Sequence, residues 1–384
     1  MTQAIVTPDA PIEIAALEAF VFRAPIAVPV VASFGRMTDR PMLLVRVTDR
    51  DGAVGWGEVW CNFPSCGAEH RAHLVAELFR PLIVGRTYGG PAAAFEALGA
   101  ATRVLAIQTG EPGPLAQCIA GIDTALWDLA GRRAGLPVWR LLGGESPAIG
   151  VYASGLNPDE PARLAAARRA EGHVAFKLKV GFGAARDIDN LRALRAELGD
   201  AAILMVDANQ AWDLAAARAM AAQLAPFALA WLEEPLAADR PWTEWCALAA
   251  SSPTPLAAGE NLAGHAAFDA ALAAGALGVI QPDLAKWGGF TGCRAVTRRV
   301  RAAGGRYCPH YLGGGWGLRA SAHLLAAVGG DGRLEIDANP NPLRTLLLGP
   351  LARLEAGSCT LDTLPGLGAP PDLARLREFQ TLTV

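Results

Sequence analysis

From about Pro11 to Val59, apolar and polar residues alternate in two runs, IEIAALEAFVF and PMLLVRVTDRDGAVGWGEV, and Asp51-Gly52 interrupts the second. Alternation marks half-buried strands and Asp-Gly is a tight-turn pair, so a β meander is expected to open the chain. Residues 68 to 142 read as helices and end in GIDTALWDLAGRRAGLPVWRLLGG. Strands followed by helices predict an α+β domain. After Gly144, short apolar runs alternate with helical stretches: FKLKV, ILMV, FALAWL, PLAA, LGVI, RYC and RLEI. In the helix after FKLKV, Ile188, Leu191, Leu194 and Leu198 lie on one stripe and Gly199 closes it. Such alternation implies parallel strands joined by crossover helices.

The ends of these runs carry polar residues that a buried strand should not contain: Lys177 and Lys179, Asp207, Glu233, Glu260, Asp283, His310 and Glu335. From Lys179 onward they are 28, 26, 27, 23, 27 and 25 residues apart, the length of one β/α unit. Eight such units close a (β/α)₈ barrel, in which catalytic groups gather at the C-terminal strand ends. A doubly wound sheet would concentrate its ligands at one switch point instead. Gly313-Gly314-Gly315 comes late and no GxGxxG follows an early strand, so a phosphate cradle is set aside.

Asp207 in MVDANQ, Glu233 in WLEEP and Glu260 in AAGEN follow three consecutive strands. Three converging carboxylates repel one another unless a cation neutralises them, and an all-oxygen set selects a hard cation, with Mg²⁺ favoured. Glu233 stands at the strand terminus, and Glu234 is read as its supporting neighbour. Lys177 and Lys179 are two apart on a strand and share a face; two close ammonium groups depress each other's pKa, which makes one a usable base. Asp283 can fix the tautomer of His310 and raise its basicity, making a second base. Glu335 is expected to stay protonated beside the other carboxylates and to donate to an oxyanion. A lone histidine is more often structural, as is expected of His73, His173, His265 and His323.

The net charge of −3, with 34 Lys and Arg spread along the chain, argues against nucleic acid as a partner. No apolar run approaches the ~18 residues that span a bilayer, and MTQAIVTPDAP has no basic stretch followed by an apolar one. A soluble, cytoplasmic protein, assembled as a homo-oligomer, is the expectation. The seven scattered cysteines are expected to be free thiols.

The ordered set GWGEV, GIDTALWDLAGRRAGLP, KLK, DANQAW, EEP, GEN, PDLAKWGG and His310 resembles the enolase superfamily, in the mandelate racemase branch close to the muconate lactonizing enzymes. The resemblance covers nearly the whole chain. It implies a modified barrel under an α+β cap: cap 1–144, barrel 145–355, and a segment 356–384 returning to the cap. It also implies Lys179 as base on one face of the α-carbon, Lys177 at the substrate carboxylate, and His310 with Asp283 on the other face. Lys286 matches a different family position and is not assigned as a base. The expected activity is Mg-dependent removal of the α-proton of a 2-hydroxy carboxylate, above all dehydration of an acid sugar to a 2-keto-3-deoxy acid. A racemase or epimerase is the alternative, and a non-catalytic ligand-binding barrel the third reading. By location, two stretches read as cap loops, VPVVASFGRMTDR and EVWCNFPSCGAEHR, mix Val31, Phe34 and Trp60 with Arg36, Asn62 and His70. Arg36, Trp60, Asn62 and Asn209 are the candidates for substrate contacts.

Overall fold

The computed structural model describes residues 10–32 and 35–384. Phe34 lies outside them, as does the side chain of Val31. Strands β1 (Ile12–Ala32), β2 (Gly35–Asp49) and β3 (Val54–Val59) form the antiparallel meander. At the predicted turn, Asp49 Oδ1 accepts the N–H groups of Asp51 and Ala53 at 3.0 and 2.8 Å. The described part of the stretch expected as a cap loop, VPVVASFGRMTDR, instead prolongs the β1–β2 hairpin, with Val30 paired to Met37 and Val31 to Arg36. Its β-branched run favours strand over loop. Strand β4 (Thr87–Tyr88) adds to β1. The helix Pro112–Ala134 starts on a proline, ends at Gly135 with φ 66°, and packs against β3. A Cβ on Gly57 would stand 1.9 Å from the Gly121 carbonyl oxygen, so the glycines of GWGEV let strand and helix backbones meet.

Strands β5 (Ala148–Leu156), β6 (Ala175–Lys179), β7 (Ile203–Asp207), β8 (Leu232–Glu233), β9 (Leu256–Ala258), β10 (Val279–Ile280), β11 (Arg306–Tyr307) and β12 (Arg333–Asp337) pair in parallel in the order β11-β10-β9-β8-β7-β6-β5-β12. The sequence pattern marked the last seven of these; β5, AIGVYASGL, went unmarked. Pairing of β12 with β5 curls the sheet into a nearly closed barrel. Its seam lies between β11 and β12, where a Cβ on Gly332 would be 1.9 Å from the Tyr307 carbonyl oxygen. Strand β13 (Ser358–Thr360) lies antiparallel on β5, and β14 (Gln380–Thr383) on β1 of the cap. Among the described residues no helix is long and apolar enough to cross a membrane.

The barrel interior explains where the polar residues fall. Tyr152, Ala175, Met205, Trp231, Ala257, Val279 and Cys308 form one buried cluster, with residues from β5, β6, β7, β9 and β10, one just before β8 and one just past β11. Side chains alternate faces along a strand. Two residues further on, the same inward face carries Ser154, Lys177, Asp207, Glu233, Gln281 and His310. The polar layer therefore rests directly on an apolar plug, at the end of the barrel where the strands finish.

The cap is clamped over this end. Glu58 of β3 accepts the N–H groups of Gly314 (2.5 Å) and Gly317 (2.8 Å), at the start of the helix Gly315–Val328. The N–H groups at this helix N-terminus are thus taken up by one of the protein's own side chains. All seven cysteines are free, and Cys66 is exposed.

Candidate active site

Lys177 is the centre of the polar layer and is fully buried. Its Nζ contacts Glu233 Oε1, lies 2.7 Å from Glu335 Oε1 and 3.8 Å from Asp207 Oδ2, and faces the Tyr152 ring at 5.4 Å. Glu233 Oε2 accepts from Trp231 Nε1 (2.9 Å) and Gln281 Nε2 (2.7 Å). Glu335 also accepts from the Ser154 hydroxyl and from the Tyr311 N–H (3.0 Å). It does not end its strand: it is the middle residue of β12, which ends at Asp337.

Lys179 and His310 stand across the mouth, on β6 and just beyond β11, five strands apart in the sheet. Lys179 Nζ is 2.5 Å from Asp207 Oδ2 and 2.7 Å from Asn209 Oδ1. His310 Nδ1 is 2.8 Å from Asp283 Oδ2, and its Nε2 is 3.0 Å from Glu260 Oε2 and 3.8 Å from Glu335 Oε2. Asn209 (φ 43°) and Glu234 (φ 38°) adopt left-handed backbone just past their strands. Such backbone is uncommon for residues other than glycine and breaks the strand alternation, so both side chains line the cavity.

That cavity, of about 270 Å³, is closed on one side by the barrel mouth and on the other by the cap. Lys179, Asn209, Glu260, His310, Trp60 and Asn62 line it; Lys177, Asp207, Glu233, Asp283 and Glu335 lie outside its lining. Asn62 donates to the Leu312 carbonyl (2.5 Å), and the Trp60 ring has Lys286 Nζ 5.1 Å above it. Arg36 is exposed on the hairpin and does not line the cavity; Arg40, buried at the hairpin's base, does. Asp337, Asn339, Asn157 and Asn261 are further lining residues that the sequence reading missed. Asp337 and Asn339 could have been found two and four places past Glu335, whereas nothing local marks Arg40.

Two expectations about charge are overturned. Burial and Lys177 do push Lys179 down, but Asp207 and Glu260 outweigh them and hold it above its ordinary value. Glu335 is driven up by burial, yet Lys177 and His310 hold it below the usual carboxylate range, so it is ionised rather than a proton donor. His310 is likewise held well above its ordinary value: burial opposes its charge, and Glu260, Glu335 and Asp283 prevail.

Among the described residues, no group of three or more His, Cys, Asp or Glu side chains stands ready-made for a metal ion. Lys177, Lys179 and His310 take up the oxygens of Glu233, Asp207 and Glu260 instead. The donor chemistry nevertheless fits a hard divalent cation. Asp207 and Glu233 are cross-strand neighbours in register. Burial, with Asp207, Glu335 and Glu260 adding to it and Lys177 opposing, pushes Glu233 up to about 7. Burial, with Glu260 and Asp207, pushes Glu234 up to about 8. The cluster holds more carboxylate than the surrounding cations neutralise, and oxygen-liganded Mg²⁺ suits that deficit.

Comparison with known proteins gives the same outline. Residues 16–143 match the mandelate racemase/muconate lactonizing enzyme N-terminal domain, and residues 160–375 the enolase C-terminal domain-like family. A D-galactarolactone cycloisomerase of Agrobacterium fabrum is 30% identical over 361 residues, covering 90% of this chain and 93% of that protein. A crystal structure described as mandelate racemase/muconate lactonizing enzyme from Bordetella bronchiseptica RB50 is 60% identical, with TM-score 0.92 and coverage of 96% and 99%. An L-talarate/galactarate dehydratase mutant, crystallised with Mg and L-glucarate, is 26% identical, with TM-score 0.84 and coverage of 100% and 95%.

Proposed function

The chain belongs to the mandelate racemase/muconate lactonizing enzyme family of the enolase superfamily, and from that premise we propose that it removes the α-proton of a sugar acid and expels the β-oxygen, giving a 2-keto-3-deoxy acid. The observation that carries this reading is the placing of Lys179 and His310 across one cavity, each held by its own carboxylate. Two groups on opposite sides of a carbon can divide the work: with Asp207 and Glu260 taken up by a cation, the hold that keeps Lys179 protonated would be relieved, leaving it free to take the α-proton, while His310 gives a proton to the departing oxygen. His310 suits the second task, because an imidazolium held by Asp283 and Glu260 is charged and ready to donate. Lys177, beneath the floor, supplies fixed positive charge as the carboxylate takes on the character of an enediolate. A divalent cation held by Asp207, Glu233 and Glu260 would add positive charge against the substrate carboxylate. Asn209, Asn157 and Asn339 offer partners for hydroxyl groups.

When the β-oxygen belongs to a free hydroxyl, the outcome is dehydration. When it belongs to a ring, the same proton transfers open the ring without loss of water, and the 30% identity to a cycloisomerase over 90% of the chain favours keeping this second reading. One experiment tests both. The protein is incubated with Mg²⁺ and a panel of sugar acids and their lactones, with 2-keto acid formation, product mass and deuterium uptake at C2 followed together. Dehydration yields a keto acid lighter by one water, and cycloisomerisation yields one of unchanged mass. Chelation is expected to abolish the activity and Mg²⁺ to restore it. Racemisation of a 2-hydroxy acid lacking a β-hydroxyl, with no keto acid from any sugar acid, would replace the reading with that of a racemase.

A further inference from the structure

The cap-side wall of the cavity contains a positive charge that the protein does not fully use. Arg40, on β2, is 1% exposed and lines the cavity. Its Nη2 is 2.6 Å from Asp337 Oδ2, while its Nη1 is buried with no hydrogen-bond partner among the described residues. Asp337 has little left to offer. Its Oδ1 accepts from the Asn339 N–H and from Asn339 Nδ2, both at 2.9 Å, and Arg344 Nη1 approaches its Oδ2 at 3.4 Å. Two guanidinium groups therefore share one carboxylate in a dry wall. One carboxylate between two guanidinium groups leaves positive charge in excess, and the idle Nη1 donor is costly unless an anion meets it.

The position of this charge limits what the anion can be. Asp337 follows Glu335 by two residues on β12, on the same side of the strand, so it lies roughly 6.6 Å further along the strand toward its C-terminal end. Glu335 belongs to the layer of Lys177 and His310, against which the reacting carboxylate lies on the sugar-acid reading above. Arg40 thus stands a few carbon atoms away from the reacting end, beside Asn157 and Asn339. We propose that Arg40 anchors a second carboxylate at the far end of the substrate, which makes the preferred substrate a sugar diacid, an aldarate, rather than the corresponding aldonate. A planar guanidinium with a free N–H suits a carboxylate, whereas the primary alcohol that ends an aldonate leaves the charge unmet. The proposal rests on the sugar-acid reading above and specifies it.

The test uses the Mg²⁺-loaded protein and pairs of six-carbon acids with matched configuration, galactarate with galactonate and glucarate with gluconate. The wild type is expected to favour the diacid of its preferred pair by ~10²-fold or more in kcat/KM, the scale of leaving a buried charged group unmatched. Arg40→Met is expected to remove most of that ratio, chiefly through KM for the diacid. If Arg40 serves only to tie the cap to the barrel through Asp337, Arg40→Met leaves the ratio unchanged whatever it does to the rates. Arg40→Lys keeps charge but loses the forked donor, and covers the case in which the methionine variant does not fold: a ratio reduced by about 10-fold supports the anchor, and an unchanged ratio overturns it. Asp337→Asn adds a separate check, since it breaks the tether while leaving Arg40 charged, and the diacid preference should survive. A wild type that turns over aldonates as well as aldarates sinks the proposal and leaves the sugar-acid reading standing. If no acid of either kind yields a keto acid, that reading fails instead, and calorimetric binding of galactarate to wild type and Arg40→Met then decides on Arg40 alone.

Discussion

At the barrel mouth, acids and bases are locked to one another; on the cap side of the same cavity, each polar group is tied to a partner of its own. Lys177, Asp207, Glu233 and Glu335 are all buried and share one ammonium group, and His310 is gripped by Asp283 and Glu260. Trp60, Asn62 and Arg40 come from a loop and a hairpin and touch few partners in common. The difference teaches which changes should be general and which selective. A network that neutralises itself responds as a unit, so its loss should affect every substrate alike. A wall of separate groups can be altered one at a time, changing which acid fits without touching how the proton moves.

The sharpest way to break this division is to remove the bases. Lys179→Ala and His310→Asn should each lower kcat for keto acid formation by about 10²- to 10⁴-fold, for all accepted acids, with the fold intact. If the two changes silence solvent-deuterium exchange from opposite enantiomers at C2, they act on opposite faces; identical losses would point to one shared base.

Lys177→Met should follow, as a change in stability as much as in activity. It would leave Glu233, Glu335 and Asp207 facing one another in a dry layer, and stripping one partner from a buried ion pair costs roughly 3–5 kcal/mol. Thermal melting in the absence of metal reads this, and an unchanged melting temperature would mean that the carboxylates relax by other means.

Asp283→Asn should cost less, about 10- to 100-fold in activity, because the imidazole stays in place and loses only the partner that sets its tautomer. A loss as large as that of His310→Asn would make Asp283 more than a positioning residue.

The smallest effect concerns how the cap is joined to the barrel. His323 Nδ1 accepts the Trp139 N–H at 3.2 Å, and burial, aided by Arg319, pushes its imidazole from 6.5 down to about 3. The unfolded chain takes up a proton below about 6.5 that the native state refuses until about 3. Stability is therefore complete above that window and falls as pH drops through it, by about 2 kcal/mol at pH 5. His323→Gln should flatten this part of the melting profile between pH 7 and 5, without altering the selectivity between acids.

Legibility follows the same division. Lys179, Asp207 and Glu233 were readable because each ends its strand, and the strand register then sets them side by side. Glu335 was readable as a site residue but not in its charge, because Lys177 and His310 reach it from β6 and from beyond β11. Arg36 and Arg40 show the opposite case. They are four residues apart on one strand, roughly 13 Å, and only the extra length of the hairpin decides that Arg40 lies over β12 while Arg36 stays exposed.

The sequence by itself determined the β/α rhythm and the polar residues that close its apolar runs, because the pattern along each strand is a local property of the chain. The tertiary structure alone decided which of those polar groups are charged, which face the cavity, and which cap residue closes it. Those depend on distances between segments hundreds of residues apart: Arg40 meets Asp337, and Glu58 meets Gly314. Electrostatic energy is set by separation in space and by burial, and neither is written in the order of residues along the chain.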